Sequence, residues 1–475
     1  MAQPLTPPCQ RDLIEAQPCP GEQGIAFPVL TKRMVLAACV LASSMAFIDG
    51  SGLTVAMPAI RDAFDADLAS LQWVLNVYAL ALAALSLIGG AIADAKGRVR
   101  ILIVGVAVFA IASVGCAMSS SIGTLIAARG VQGIGAAFMV PASLALIGSV
   151  YPKEERAGAI GVWAAVSALM TSAGPPLGGW LTEAFGWEAV FLINPPLAII
   201  ATVILLRFGP KTQHKEQDAF DWAGAASLAV FLAALAMGVS AFGGEGGELP
   251  VPPALSFLVA AVTLTFFLWR EGRARAPIMP PDLFTEKTFT LLNLATLFLY
   301  AALSLLFFQL PFFLIERFGI SATEAGAAFL PFTLAVGLLS NPVGSLAGRL
   351  GLRTLIAMGS GCAALAFVWM AVTTEAGFLF AALVPMGVLG LGFALIVGPL
   401  TTGVMGSLGD ADQGLASGVN NTVSRIAQLI GVAGAAALGA GTVSFQWGAG
   451  LAALLSAAAL IAALATEMPV VGSAE

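Results

Sequence analysis

The sequence predicts an all-α polytopic membrane protein with fourteen transmembrane helices, on three observations. Of its 475 residues, 59% are hydrophobic and 10% charged, with a mean hydropathy of +0.93. An average soluble domain carries about 25% charged residues. The apolar residues run in long unbroken stretches rather than alternating segments of about ten, which is the pattern of helices and not of a membrane barrel. They number roughly 280, enough for about fourteen spans of about 20 residues.

Segment 1–31 is polar and proline-bearing, with no basic region leading into a short apolar core. It reads as a disordered cytoplasmic tail and not as a signal peptide. Apolar spans follow near 34–58, 70–93, 100–118, 122–149, 157–182 and 187–206, a first six-helix bundle over 32–207. A polar loop holding Lys211, His214, Lys215 and Glu216 leads to two extra spans near 222–243 and 253–270, inside a linker over 208–288. Six more spans, near 289–314, 322–347, 354–373, 378–405, 414–440 and 445–465, make a second bundle over 289–466. Residues 467–475 are a second cytoplasmic tail.

The basic residues orient these spans. With the N-terminus inside, cytoplasmic segments hold 17 of the 21 Lys and Arg, external loops hold only Arg61 and Arg317, and Arg129 and Arg425 fall within spans. A miscounted span scrambles this asymmetry, so it supports the count as well as the topology. Both termini are expected in the cytoplasm.

Several chemistries are excluded. One histidine, His214, leaves no His-based zinc motif, and the five cysteines include no C-x-x-C pair. No lysine follows a glycine, so there is no Walker A loop. No basic stripe with interleaved aromatics suggests nucleic acid. No metal, no cofactor and no enzymatic activity is expected.

The chain also repeats itself. Gly130-Val-Gln-Gly-Ile-Gly135 recurs as Gly387-Val-Leu-Gly-Leu-Gly392, an offset of 257, at which Gly161 also meets Gly418 and Gly174 meets Gly431. Gly90-Ala-Ile-Ala-Asp94-Ala-Lys-Gly97 parallels Gly344-Ser-Leu-Ala-Gly348-Arg-Leu-Gly351 at offset 254. Parallel six-span repeats with the substrate site at their interface are the architecture of major facilitator transporters.

Four local patterns narrow this further. Span 1 carries Ile48-Asp49-Gly-Ser51-Gly-Leu-Thr54-Val-Ala-Met-Pro58, and Asp49 is the acidic residue placed well inside the membrane. A charge there costs about 2.5 kcal/mol or more and is expected to face the bundle interior and carry a function. The residues alone also allow Asp49 to cap a helix break between Gly50 and Gly52. Span 4 carries Leu125-Ile-Ala-Ala-Arg129-Gly-Val-Gln132-Gly133-Ile-Gly135-Ala-Ala137, a permanent cation on a small-residue face. Arg129 favours ionised Asp49 whereas desolvation favours the acid, so access and occlusion can alternate the two states. A fixed pair joining two helices is the other reading. Span 5 carries Gly161-Val-Trp163 and then Gly174-Pro175-Pro176-Leu-Gly178-Gly179, a weakened helix with close backbone approach. The loop after span 2 carries Gly90, Asp94, Gly97 and Arg98, with Asp94 placed to latch across the halves in one state.

Together these patterns resemble the fourteen-span drug:proton antiporters of the major facilitator superfamily, over residues 34–465. Departures are Ser51 and Thr54 for the usual Thr and Asn, Ala95 and Val99 for basic residues, and Glu188 and Ala189 in the stretch Trp187 to Pro195. The resemblance implies two six-helix bundles plus two inserted helices, and export by alternating access across a bacterial cytoplasmic membrane. It assigns Asp49 and Arg129 to proton coupling. It assigns Gly90, Asp94, Gly97 and Arg98 to the conformational switch, and Gly174, Pro175, Gly178 and Gly179 to the antiporter motif. Met139, Met170, Asn293, Tyr300, Asn420, Asn421 and Arg425 are expected around a substrate cavity; Arg425 either binds an anionic group or pairs within the bundle. The energy source is the proton gradient, about 2.3 kcal/mol per 100 mV plus 1.36 kcal/mol per pH unit for each proton. The expected partners are a small-molecule substrate, protons and the lipid bilayer. An accessory export partner is compatible with this reading, and the chain is expected to act as a monomer. The absence of further membrane acids favours a lipophilic monocation, a neutral compound or an amphiphilic anion over multivalent cations. A proton symporter or facilitator for a small metabolite is the alternative on the same fold.

Overall fold

The computed structural model describes residues 27–210, 221–240, 252–274, 281–408, 413–439 and 441–467. The expected tails 1–31 and 467–475 lie almost wholly outside the described residues, as does the polar loop around His214. All regular structure among the described residues is helical.

The first set of helices is α1 (Val29–Phe64), α2 (Leu68–Lys96), α3 (Arg98–Ala117), α4 (Ile122–Val150), α5 (Lys153–Phe185), the short α6 (Ala189–Leu192) and α7 (Asn194–Phe208). A pair follows, α8 (Trp222–Ser240) and α9 (Pro253–Glu271). The second set is α10 (Lys287–Phe318), α11 (Ala322–Ala327), α12 (Leu330–Leu350), α13 (Leu352–Val372), α14 (Val384–Gly406), α15 (Gln413–Leu438) and α16 (Thr442–Leu464). Helix starts follow local chemistry: Asp67 accepts from the Ser70 amide at 2.8 Å to cap α2, and Ser121 with Thr124 forms a reciprocal cap on α4.

Eleven segments among the described residues are long and apolar enough to cross a membrane, and Trp222–Leu235 is a shorter apolar helix. The chain is therefore a multi-pass helical membrane protein. The expected spans at 157–182, 222–243 and 414–440 are not among the eleven. Two of them fall in α5 and α15, helices of 33 and 26 residues whose apolar content is diluted by Gly, Ser, Thr and, in α15, Asn.

The repeat in the sequence becomes a repeat in packing. Gly133 lets α4 lie on the Tyr78 backbone of α2, and Gly390 lets α14 lie on the Phe332 backbone of α12. Gly135 brings α4 against Gly105 and Phe109 of α3, and Gly392 brings α14 against Gly359 and Ala363 of α13. Gly174 of α5 meets α1, as Gly431 of α15 meets α10. Tight α2–α3 and α12–α13 turns pass through Gly97 and Gly351 at φ +102° and +79°, a region that favours glycine. The matched glycines thus hold equivalent helix pairs at close distance, which is how small residues drive association in lipid.

Each half has its own core. One holds Met45, Phe109, Met139 and Leu146; the other holds Leu299, Phe329, Phe367 and Phe393. A third cluster joins the halves, with Leu53, Met57, Leu71 and Leu75 packed on Leu305, Phe308, Phe312 and Ala435. The α8–α9 pair is tied by Arg270 Nε donating to both Asp221 oxygens at 3.1 and 3.2 Å. It packs on both halves, with Leu228, Leu232 and Phe267 against Leu80 of α2 and Ile426 of α15.

Polar contacts lock the halves at the α5–α11 end. Arg61 Nη1 lies 3.1 Å from Glu316 Oε1, and the Thr323 amide donates to Glu183 Oε2 at 3.1 Å. The side chains of Thr323 and Ser321 hydrogen-bond Glu183 as well, which holds its carboxyl below the usual glutamate range. A depressed value means that this contact is at full strength above the ordinary pKa of 4.5 and is lost as pH falls through the lowered one. Spin labels at Phe185 and Arg317 are expected to show this end loosening in acid, and Glu183→Gln to loosen it at neutral pH too. Equal distances in wild type and variant at neutral pH would remove the contact from the closure.

Candidate functional site

The site is assembled from helix faces that sequence spacing predetermines. Arg129 and Gln132 are three apart on α4 and Ser113 and Cys116 three apart on α3, so each pair shares one face. Asn194 stands where α6 gives way to α7. Pro195 and Pro196 supply no amide hydrogen, so the chain breaks and restarts there, with Asn194 at the first position.

These residues converge on Asp49 of α1. Asp49 and Arg129 are both fully buried, and Arg129 Nη1 donates to Asp49 Oδ2 in a charge-assisted bond. Gln132 Nε2 donates to the other carboxylate oxygen at 2.8 Å, and Asn194 Nδ2 reaches the same oxygen at 3.3 Å. The same two amides donate to Ser113 Oγ at 2.8 and 3.2 Å, and Ser113 in turn donates to the Phe109 carbonyl at 2.9 Å. Arg129 is held by Nε to the Val74 carbonyl at 3.1 Å and by Nη1 to Gln132 Oε1 at 2.6 Å. Its guanidinium lies 4.2 Å from the centre of the Tyr78 ring and 5.7 Å from that of Phe191.

The arrangement answers one open reading of Asp49. It caps no helix break, because α1 is continuous from Val29 to Phe64 through Gly50 and Gly52. Burying two charges costs more than Coulomb attraction returns unless the remaining lone pairs and protons are satisfied. Here three side chains donate to the carboxylate. Gln132→Ala removes one donor to Asp49 and one to Ser113, and is expected to destabilise the fold by about 1–3 kcal/mol. A thermal melt in detergent checks this; an unchanged midpoint would mean that water replaces the amide.

Beside the pair lies a cavity of about 230 Å³ between the halves. α1, α2, α4 and α5 line one side, and Tyr300, Ser304 and Phe307 of α10 with Arg425 and Gln428 of α15 line the other. Of the residues expected around a substrate cavity, Tyr300 and Arg425 are among those that line this one. Met139, Met170, Asn293, Asn420 and Asn421 are not among the lining residues. Met139 is fully buried, packing on Gly105. Asn420 Nδ2 donates to Thr296 Oγ1 at 2.7 Å and to Asn293 Oδ1 at 3.4 Å, which binds α15 to α10 within one half.

Gly174 and Gly178 of α5 lie on Gly52 of α1, with 2.9 Å from a Cβ at Gly52 to the Gly174 carbonyl oxygen. Gly179 and Pro175 face the other half: Gly179 touches Ala322 and Gly326 of α11, and a Cβ at Gly326 lies 2.5 Å from the Pro175 carbonyl oxygen. Of the residues expected in the loop after span 2, Gly90 and Asp94 lie within α2, which continues to Lys96, and Arg98 opens α3; Gly90 sits near Pro141, and Arg98 Nη1 donates to the Ala145 carbonyl at 3.0 Å. The Asp94 side chain lies outside the described residues.

Ser113, Tyr78 and Asn76 were not singled out from the sequence, and Gln132 and Asn194 entered only as members of longer patterns. Ser113 donates to the carbonyl four residues back, a bond open to a serine in any helix, so only the fold distinguishes it.

Comparisons with known proteins give the family and the fold. The sequence model of the Major Facilitator Superfamily matches residues 39–432 and, again, 292–473. The chain is 32% identical over 406 residues to the multidrug resistance protein Stp of Mycobacterium tuberculosis, covering 85% of this chain and 75% of that one. It is 33% identical over 432 residues to the methylenomycin A resistance protein of Bacillus subtilis, covering 90% and 91%. Its fold is similar to that of a variant peptide transporter solved with sulfate, at TM-score 0.66 and 14% identity, covering 90% and 93% of the two chains. With a buried charged pair beside a cavity between two repeated helical halves, and a family match along most of its length, this chain belongs to the Major Facilitator Superfamily, whose members are transporters and not enzymes.

Proposed function

We propose that this protein is a proton-coupled antiporter that exports lipophilic small molecules by alternating access across the cytoplasmic membrane. One observation carries the reading: a fully buried carboxylate is paired with a buried guanidinium that borders a cavity between the halves, and the halves pack backbone to backbone at the α5–α11 end. Asp49 is the proton carrier. Protonation removes its charge and frees Arg129, so the bonds that tie α1 to α4 change with protonation state. Arg129 tunes that affinity, and the packed Gly179–Gly326 contact closes the cavity on the side away from the cytoplasm.

The resistance proteins among the relatives support export of drug-like compounds as the direction of work. The fourteen-span topology, with both termini cytoplasmic, is part of this proposal: α5, α8 and α15 are then the spans that complete the eleven. The distribution of 17 basic residues on one side supports that orientation.

Inverted vesicles carrying the full chain, with an imposed pH gradient, test the coupling. Lipophilic cations, neutral compounds and anions are added in turn while a pH-sensitive dye reports the lumen. At least one class is expected to discharge the gradient as it accumulates inside. Accumulation of solute in the same direction as the protons would establish symport and overturn the proposal.

A further inference from the structure

The cavity carries an unbalanced charge. Two cations border it, Arg129 and Arg425, and among the described residues no acidic residue does. Arg129 is neutralised by Asp49. Arg425 has no carboxylate partner among the described residues; its one hydrogen bond there is from Nη1 to Gln428 Oε1 at 3.2 Å, one turn along its own helix. A neutral amide does not compensate a guanidinium, and a lone guanidinium at membrane depth is expensive to keep. Arg129 needs such compensation and has it, so the missing partner of Arg425 is a property of the site and not of its surroundings.

The uncommitted polar groups at the cavity point the same way. Asn76 is 1% exposed and its Nδ2 has no hydrogen-bond partner, and neither has Arg129 Nη2. Both are donors. Tyr300, opposite them on α10, brings a hydroxyl with no protein partner among the described residues. The rest of the wall is mainly apolar, with Phe47, Leu75, Leu82, Leu303, Phe307 and Phe308. One cation without a carboxylate partner on a mainly apolar wall, with unpartnered donors of Asn76 and Arg129 buried just behind it, matches a ligand with an apolar body and one anionic head. A guanidinium is well suited to such a head, because it presents two parallel N–H groups to a carboxylate.

We infer that the transported class is a small amphiphilic monoanion, carboxylate-bearing or similarly acidic, whose head group is held by Arg425. The inference deepens the function proposed above and rests on it for the direction of transport, while the binding preference is measurable on its own. The cavity excludes multivalent cations, for which it offers no acid, and it disfavours monocations.

Three probes with one apolar body test this: 4-phenylbutyrate, 4-phenylbutyramide and 4-phenylbutylamine, competing for radiolabelled 4-phenylbutyrate on the full chain in nanodiscs without a gradient. The anion is expected to bind at least tenfold more tightly than the other two. Arg425→Gln is expected to erase that preference while leaving the amide within twofold, and Arg425→Lys to retain part of it. Binding of the amine or amide as tight as that of the anion overturns the inference. So does a surviving tenfold preference in Arg425→Gln, or no saturable binding of any probe to protein that melts cooperatively. Because no gradient is applied, such a failure leaves proton-driven export standing. Loss of gradient-driven transport with anion preference intact would remove the antiport reading and keep this one.

Discussion

Asp49→Asn is expected to abolish gradient-driven transport and to destabilise the protein. Asp49 is the one carboxylate among the side chains bonded together at the centre of the site, and Arg129, Gln132 and Asn194 all donate to it. An asparagine keeps the size and part of the hydrogen bonding to Gln132 and Asn194, but carries no proton between the two sides. It also leaves Arg129 as a fully buried charge without a counter-charge. Breaking a buried pair from one side costs about 3–5 kcal/mol. Asp49→Asn combined with Arg129→Gln removes both charges together, and is expected to recover most of the lost stability but none of the transport. Thermal melts and dye-reported proton flux on the single and double variants separate the two effects. Proton flux near the wild-type rate in Asp49→Asn would move the proton carrier elsewhere.

The second large effect is expected from Gly179→Leu. α5 and α11 touch backbone to backbone, and even a methyl at Gly179 collides with the Ala322 carbonyl oxygen. No side-chain rotation relieves such a collision; the two halves must separate. The cavity then loses its seal, the distance between spin labels at Phe185 and Arg317 lengthens, and transport falls below about a tenth of wild type. Stability falls less than for a core substitution, because the cores within the two halves are untouched and only the cluster that joins them is opened. Gly161→Ala is the control: a Cβ there meets nothing within 4 Å, so the variant is expected to behave as wild type. A Gly179→Leu protein that keeps both the wild-type distance and the wild-type rate would show that this contact does not close the cavity.

These two sites also show how unevenly the sequence could be read. Asp49 and Arg129 were conspicuous because charge inside an apolar run is rare and costly. The glycine registers were conspicuous because a constant offset repeats them, and the structure turns the Gly133/Gly390, Gly135/Gly392 and Gly174/Gly431 repeats into equivalent helix contacts. Arg425 was visible as a charge, but whether it had a partner was not. Asn293, Asn420 and Met139 carried the same kind of polarity or softness as true lining residues, and only side-chain direction separated them. Asn420 turns to Asn293 and Thr296, and Met139 turns into its own core.

Composition, charge placement and the internal glycine repeat by themselves determined that this chain is a helical membrane protein, that it is built from two related halves, and that very few charges lie inside. The reason is energetic: the bilayer penalises polar groups so strongly that topology must be written as residue type along the chain. Which of the interior charges cancel, and which is left facing the cavity, was decided only by the tertiary structure. Asp49 and Arg129 are 80 residues apart and come from different helices, so their pairing depends on how α1 and α4 pack. The solitary charge of Arg425 follows from that same packing, since an ion pair is a matter of distance between helices and not of sequence.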